Sequence, residues 1–595
     1  MNDPTTTTDT AEKTLITAVR AWIANDPDAA SRAELETLIA KGDLAELRER
    51  FAAPLEFGTA GLRGLVGAGP GRMNIATMTQ AAAGVARQLL QDVPDAATRG
   101  VALGRDARIM SDEFARVTAE IIAAHGMVVH WLPEPAPTPV VAFVGKFRNA
   151  AGIAIVTASH NPPEYNGFKV YGPSSSQIVP PQDVRIRELR DAVTDPSSVP
   201  RMDFKAAVSA GLIKIVGTAD FKAYMEALDA QCLSPVPPAV QLNIVTTALH
   251  GVGHKWVADA LTRRGHRQLS PVLEQAAPDG RFPTVRFPNP EEKGALDLAL
   301  ALAVEKNAEL IIANDPDTDR LAVVARRARG SKKEDYRQLT GNEVGLLLAD
   351  WILTEGKKTA SWPERPLTIC SLVSTMMLEP LAKSHGVAYA EVLTGFKWIW
   401  HEALAREPKG ETFVFGFEEA LGYCCGQAVR DKDGVGAAQV LVELAAHEAA
   451  AGRTLFGRLD AIASKIGVSV TDQVTSVLPG LDGLQRIGRI MDAWRTNWSN
   501  VAPFGPGLSP VVKWRDLAGP DAEAMGCERS NVLTWWLEDG SRVIARPSGT
   551  EPKVKVYLET RADVVGSSLE AARADADARL SVIRRGVESI IASVA

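Results

Sequence analysis

The sequence predicts an α/β protein: three similar α/β domains with mixed, mostly parallel sheets, followed by a smaller C-terminal α+β domain. Three observations predict it. Short apolar runs alternate with longer helical patterns through most of the 595 residues, as expected when helices cover a parallel sheet. The same grammar recurs in three successive stretches. The tail breaks it by pairing two strand-like runs around one tight loop. A chain of this length holds about four domains, and the expected divisions are 1–215, 216–328, 329–462 and 463–595.

The elements follow in order. Residues 1–10 are polar and are expected to be disordered. The run 100–104 reads as a buried strand entering a loop at Arg105-Asp106, and 111–125 as a helix with Ser111 as N-cap. The apolar run 152–156 leads into the loop Thr157-Ala158-Ser159-His160-Asn161-Pro162. In the second stretch, 242–245 is a strand before His250-Gly251, 255–264 a helix, and 309–313 the strand before an aspartate loop. The charged break 328–335 reads as a hairpin or a boundary. In the third stretch, 367–370 and 411–415 are strands. Finally, 542–545 and 553–558 flank a Pro-Ser-Gly-Thr-Glu-Pro loop, and 567–593 is an amphipathic helix. Residues 553–558 alternate charged and apolar, as in a half-exposed antiparallel strand.

Composition narrows the function classes. The chain is 46% apolar and 23% charged, ordinary for a globular protein, and its net charge of −7 gives no basic footprint for nucleic acid. The five cysteines, Cys232, Cys370, Cys424, Cys425 and Cys527, have no C-x-x-C spacing. A reduced, cytoplasmic protein is expected. Neither a secretory signal nor an apolar run long enough for a membrane span is evident.

Two strand ends carry complementary chemistry. Ser159 offers a hydroxyl at the end of one apolar run, where ligands bind in open α/β sheets. Lys169 follows in Tyr165-Asn166-Gly167-Phe168-Lys169, and a lysine near a serine can accept its proton if neighbours depress its pKa. Read singly, a loop serine and a surface lysine mean little. The run 310–313 ends in Asp315-Pro316-Asp317-Thr318-Asp319-Arg320. This is not an EF-hand, because its sixth residue is Arg320 rather than Gly and its twelfth Arg326 rather than Glu. An aspartyl-phosphate phosphatase would make Asp315 a nucleophile, but Asp319 in the fifth place suits metal binding better. Three like charges so close repel, and a bound cation, best Mg²⁺, resolves the repulsion better than a solvated turn does.

A third loop, Arg546-Pro547-Ser548-Gly549-Thr550-Glu551-Pro552-Lys553, combines a glycine, hydroxyls and two cations into a phosphate cradle. No Walker-type loop accompanies it, which argues against an NTPase. Phe57-Gly58-Thr59-Ala60-Gly61-Leu62-Arg63-Gly64 and Gly416-Phe417-Glu418-Glu419-Ala420-Leu421-Gly422 are weaker signals.

Taken together, T-A-S-H-N-P, D-P-D-x-D-R and R-P-S-G-T-E-P-K, in that order and reaching from Gly58 to Lys553, resemble the α-D-phosphohexomutase superfamily of phosphoglucomutases and phosphomannomutases. G-T-A-G-L-R-G and G-F-E-E-A-L-G-Y look most like its phosphoglucomutase-2 and phosphopentomutase branch. The resemblance implies four domains around a central cleft and a phosphorylated Ser159. It implies Mg²⁺ on Asp315, Asp317, Asp319 and a phosphoserine oxygen of Ser159, with Arg63, His160 and Lys169 around the transferring phosphoryl group. Lys169 or His160 would be the acid/base, with Arg320 nearby. Thr394, Gly395, Lys397, Glu418 and Lys432 would face the sugar, and Arg546, Ser548, Gly549, Thr550 and Lys553 would hold the substrate's other phosphate. One departure matters: many phosphoglucomutases have Ser where this chain has Ala420, which keeps pentose phosphates open.

The expected activity is interconversion of glucose 1-phosphate and glucose 6-phosphate, with glucose 1,6-bisphosphate as activator. Mannose and pentose phosphates are alternatives. A small phosphosugar would be the partner, with no nucleic acid or membrane, and the protein a monomer or weak homodimer. A non-catalytic phosphosugar sensor and a metal-dependent phosphatase are the competing classes. The intact serine, lysine and aspartates weigh against the sensor.

Overall fold

The computed structural model describes residues 4–594 apart from 57–60, 235–239, 328–331, 479–480, 497–503, 505–507, 548–552, 565 and 567. The chain forms two compact units. The first runs through Leu339 and adds Gly395–Leu404 and Gly422–Ala446; the second holds Thr340–Thr394, Ala405–Leu421 and His447–Ala595.

The first unit opens with three helices, Pro4–Asn25, Ala29–Lys41 and Leu44–Phe51. The polar N-terminus is therefore helical from Pro4, not disordered as its composition suggested. Asp28 and Asp43 cap the second and third helices by accepting from the Ser31 and Glu46 amides, which satisfies donors a helix start leaves open. Val19, Leu35 and Leu47 pack with Ala68 beneath them.

Two mixed sheets follow. The first contains β1 (Leu62–Leu65), β2 (Val101–Arg105), β3 (Val129–Trp131), β4 (Gly152–Val156), β5 (Tyr165–Tyr171) and β6 (Ile213–Ile215), in the order β1-β5-β4-β2-β3-β6. Strands β4, β2, β3 and β6 are mutually parallel; β5 runs antiparallel to both β4 and β1. The second contains β7 (Ile244–Thr247), β8 (Leu269–Pro271), β9 (Leu310–Ala313), β10 (Ala322–Arg326) and β11 (Tyr336–Gln338), ordered β11-β10-β9-β7-β8. Here β7, β8 and β9 are parallel, and β9, β10 and β11 are antiparallel neighbours, so the break at 328–335 is a hairpin connection. Its residues 328–331 lie outside the described part.

Helix Ser111–Ala124 starts as expected, but Ser111 does not cap it. The preceding Met110 takes a left-handed φ of 66°, and the Ser111 hydroxyl donates instead to Asp106. That helix and Ile75–Asp92 cover the first sheet over a core including Leu103, Phe114, Val156, Phe168 and Val170. Successive strand residues face opposite sides. With Phe168 and Val170 in this core, Lys169 between them faces away from it. Truncating a fully buried Phe168 to Ala would cost about 3–5 kcal/mol.

The second unit contains β12 (Pro366–Ser371), β13 (Ala388–Val392) and β14 (Thr412–Glu418), in which β12 pairs in parallel with both others. The short β15 (Gly422–Cys424) belongs to the first unit, where Gly422 bridges to Arg320. The C-terminal sheet is antiparallel: β16 (Val468–Val477), β17 (Val511–Asp516), β18 (Leu533–Leu537), β19 (Arg542–Pro547) and β20 (Lys553–Ala562), ordered β16-β20-β19-β18-β17. Helix Leu569–Val594 contributes Leu580, Ile583, Val587 and Ile591 to its core. Strand β20 alternates at its start, but from Val556 to Thr560 it is buried on both faces. The architecture is thus three α/β domains and a C-terminal α+β domain. Among the described residues no helix is long and apolar enough to cross a membrane, and all five cysteines are free thiols.

Candidate active site

The serine loop begins where β4 ends. Ser159 is 3% exposed and holds a left-handed φ of 53°, a conformation that costs a non-glycine residue about 1–2 kcal/mol and needs support. Its amide donates to Thr157 Oγ1 at 2.9 Å, and that hydroxyl donates to Asp106 Oδ2 at 2.6 Å. The Arg108 guanidinium donates to the Ser159 carbonyl at 2.6 Å, to Pro162 at 2.7 Å, to Tyr165 at 3.1 Å, and to Asn161.

Strand β5 returns antiparallel, opposing Ile155 to Lys169, and so carries the lysine back to the carboxyl edge of the sheet. Strand β1 opposes Arg63 to Gly167 on the other side of β5. A Cβ on Gly167 would lie 2.6 Å from the Thr157 carbonyl and 2.7 Å from that of Leu62, so only glycine fits between these strands. Arg63 then reaches the serine loop by donating to Asn161 Oδ1 at 3.0 Å.

The aspartate loop leaves the end of β9. Two glycines let other chain segments lie against it: a Cβ on Gly251 would meet Pro316 Cα at 2.3 Å, and one on Gly434 would meet the Arg320 carbonyl at 2.4 Å. Asp315, Asp317 and Asp319 are all at most 1% exposed, with one oxygen from each within 4.8 Å of the others. Asp317 Oδ1 and Asp319 Oδ1 have no hydrogen-bond partner among the described residues. Buried carboxylate oxygens without donors are costly, and a hard divalent cation satisfies them; the triad fits such an ion. Burial, then the charges of Asp317 and Asp319, push the Asp315 carboxyl well above its ordinary range. Burial acts the same way on Asp317 and Asp319, but Lys169, together with Thr138 at Asp317 and with Lys432 and Arg320 at Asp319, outweighs it and holds both below that range.

The two loops meet. Ser159 Oγ donates to Asp315 Oδ2 at 2.9 Å and lies 3.1 Å from His160 Nδ1. Lys169 Nζ donates to Asp317 Oδ2 at 2.7 Å and Asp319 Oδ2 at 2.8 Å. Burial pulls the lysine pKa down, yet Asp317, Asp319 and Asp431 more than offset it, leaving Lys169 above its ordinary value. The condition for Lys169 as proton acceptor is therefore not met: it is a cation here. His160 goes the other way. Burial, then Arg320 and Arg63, push its imidazole well below the ordinary value, so it is neutral.

Arg320 lies 4.0 Å from Asp315 Oδ2 and 3.7 Å from Glu291 Oε2. Lys432 Nζ is 3.3 Å from Asp319 Oδ2 and 5.6 Å from the Phe396 ring centroid, which brings the Gly395–Lys397 segment to the same unit. Gly395 has φ 118°, and Lys397 Nζ lies over the Trp398 ring. Thr394, Glu418, Arg546 and Lys553 belong to the second unit. There Glu418 is buried at the end of β14, Arg546 opposes Lys555, and Lys553 opposes Val477. Ser548, Gly549 and Thr550 lie outside the described residues.

Sequence reasoning missed Arg108 and Thr138. Thr138 Oγ1 donates to Asp317 Oδ2 at 2.7 Å, and its amide donates to the Asp317 carbonyl at 2.9 Å. An Asp-x-Arg directly after a buried strand was the available signal for Arg108; Thr138, at a helix start after Pro-Ala-Pro, had none.

Comparison with known proteins agrees with this layout. Residues 54–196, 222–330 and 340–463 match the phosphoglucomutase/phosphomannomutase α/β/α domains I, II and III, and 521–576 the C-terminal domain of the same family. The chain belongs to the phosphoglucomutase/phosphomannomutase family. Among relatives in this family, a Haemophilus influenzae protein named probable phosphomannomutase is 39% identical over 82% of this chain and 93% of its own length. The human phosphopentomutase is 34% identical over 94% of both chains. Solved family structures share the fold: a Paramecium phosphoglucomutase, parafusin, has a TM-score of 0.66 at 16% identity, covering 90% of this chain and 96% of its own. A Burkholderia thailandensis phosphoglucomutase/phosphomannomutase family protein has a TM-score of 0.63 at 20% identity, covering 89% and 96%. Members of this family are phosphomutases.

Proposed function

We propose that the protein interconverts glucose 1-phosphate and glucose 6-phosphate through a phosphorylated Ser159 and a glucose 1,6-bisphosphate intermediate. The observation that carries this reading is the Ser159 hydroxyl 2.9 Å from a buried aspartate triad. Phosphoryl transfer is mostly positioning and charge stabilisation, and this site concentrates both.

The phosphoryl group passes from Ser159 Oγ to the free sugar hydroxyl: the P–Oγ bond breaks and the bond to the sugar oxygen forms. Neutral His160 takes the hydroxyl proton and returns it to Ser159 Oγ. The bisphosphate turns round, and its other phosphate moves to Ser159 by the same steps in reverse. Arg63 and Lys169 offset charge on the transferring oxygens. Asp315, Asp317 and Asp319, with a phosphoserine oxygen of Ser159, would hold Mg²⁺, which would supply further charge neutralisation. Arg320, Thr394, Gly395, Lys397, Glu418 and Lys432 face the sugar. Arg546, Ser548, Gly549, Thr550 and Lys553 hold the non-reacting phosphate. Trace glucose 1,6-bisphosphate primes Ser159. The enzyme works in the cytoplasm as a monomer or weak homodimer, with its chain divided at 215/216, 328/329 and 462/463.

Pentose phosphates are the second reading. Ala420 lacks the hydroxyl many phosphoglucomutases offer the sugar, and several relatives of similar length are named phosphopentomutase. Turnover of glucose, mannose and ribose 1-phosphates with Mg²⁺ and trace glucose 1,6-bisphosphate decides. Fastest turnover of glucose 1-phosphate supports the first reading, fastest turnover of ribose 1-phosphate the second. Net release of inorganic phosphate, or no turnover of any, sinks both.

A further inference from the structure

We infer that Arg108 and Phe282 form a clamp that sets the Ser159 loop in register with the Asp315 loop, with Arg108 as a positioning residue. Arg108 touches no reacting atom. Its side chain is 0% exposed, paired with Asp106 at 3.3 Å, and its two terminal nitrogens donate to four carbonyls of one loop, those of Ser159, Asn161, Pro162 and Tyr165. One planar fork therefore fixes the whole turn that gives Ser159 its left-handed backbone.

The other face of that fork belongs to the second sheet's domain. The guanidinium carbon lies 4.9 Å from the ring centroid of Phe282, which is buried and itself holds a φ of 47°. The Phe282 segment sits directly on the arginine: a Cβ on Gly280 would meet the Ala107 carbonyl at 2.5 Å and Arg108 Cα at 2.6 Å. From there a short path leads to the aspartates. Phe282 N donates to the Asp279 carbonyl, Asp279 N to that of His250, and Gly251 abuts Pro316 while Val252 N donates to its carbonyl. Pro316 stands between Asp315 and Asp317. The clamp thus ties both loops through buried contacts, and displacement of reacting groups by about 1 Å can cost on the order of 100-fold in rate.

The inference rests on Ser159 as the phosphoryl carrier, and the test separates the two. Steady-state kinetics of Arg108→Lys and Phe282→Leu are compared with the wild type on its preferred sugar phosphate. A lysine cannot span four carbonyls, so kcat should fall by about tenfold or more in Arg108→Lys with KM within about twofold, and less in Phe282→Leu. Arg108→Ala should be slower still, and added guanidinium should restore part of its rate. Unchanged kcat in both variants, or a fall carried by KM, overturns the clamp. Failure of the wild type itself to turn over would instead count against the proposed function. Hydrogen exchange then reads the clamp alone: Phe282→Leu should speed exchange in both 157–161 and 315–320, and acceleration in neither or in only one overturns it.

Discussion

Ser159 Oγ donates to Asp315 Oδ2 at 2.9 Å, joining residues 156 positions apart in the chain and on different sheets. Each residue stands at the carboxyl end of a parallel strand, and each loop contains a left-handed non-glycine residue, Ser159 at φ 53° and Thr318 at φ 60°. The serine hydroxyl thereby lies within hydrogen-bond reach of both the Asp315 carboxyl and the His160 ring, with Lys169 bound to the neighbouring aspartates.

Ser159→Ala should lose mutase turnover and keep its fold. One hydrogen bond contributes about 0.5–1.5 kcal/mol net, too little to unfold the domain. Activity and thermal melting measured side by side check this; appreciable residual turnover would remove Ser159 as phosphoryl carrier.

Lys169→Met removes the ion-pair partner of buried Asp317 and one of the two lysines on Asp319, a change that costs about 3–5 kcal/mol when one partner of a buried pair is removed. In chelator, the variant's Tm should fall by several degrees. Mg²⁺ should then raise the Tm of the variant more than that of the wild type, because ligand binding to the folded state stabilises it. No shift on adding Mg²⁺ to either protein would argue that the triad binds no divalent cation.

Lys553→Ala should weaken substrate binding more than chemistry, raising KM about tenfold with kcat nearly kept, since the non-reacting phosphate is held alike in ground and transition states. An unchanged KM takes this loop out of the site.

Asp433 gives a pH prediction. It is 4% exposed, accepts from Tyr224, Val435 and Gly436 through Oδ1 alone, and burial pushes its carboxyl up to about 6. The folded protein holds this proton more tightly than the unfolded chain, whose aspartate titrates near 4. The stability from Asp433 is therefore complete below about pH 4 and lost as pH rises through about 6, at most about 3 kcal/mol. Asp433→Asn should lose this component, so its Tm should fall less than the wild type's between pH 5 and pH 8. Identical pH profiles would refute the assignment.

Much of this was legible in the chain itself. The hydroxyl and aspartate loops were readable because each is contiguous and follows a short apolar run, and strand periodicity is a local property. The parallel domains and the antiparallel tail followed from the same local patterns. Other features were decided only by folding. Nothing local reveals that Lys169 would sit between two carboxylates and stay charged, because its protonation depends on partners 148 and 150 residues away. Arg108 is marked in the sequence only by its Asp-x-Arg setting after a strand, and its role emerges when four carbonyls and the Phe282 ring surround it. Ser111 has the composition of a cap, yet Asp106 takes its hydroxyl. Hydrophobic spacing is written residue by residue, so the sequence determined the elements and the chemistry each loop carries. Charge state, strained backbone and loop register arise from desolvation and from contacts across the chain, and only the tertiary structure could decide them.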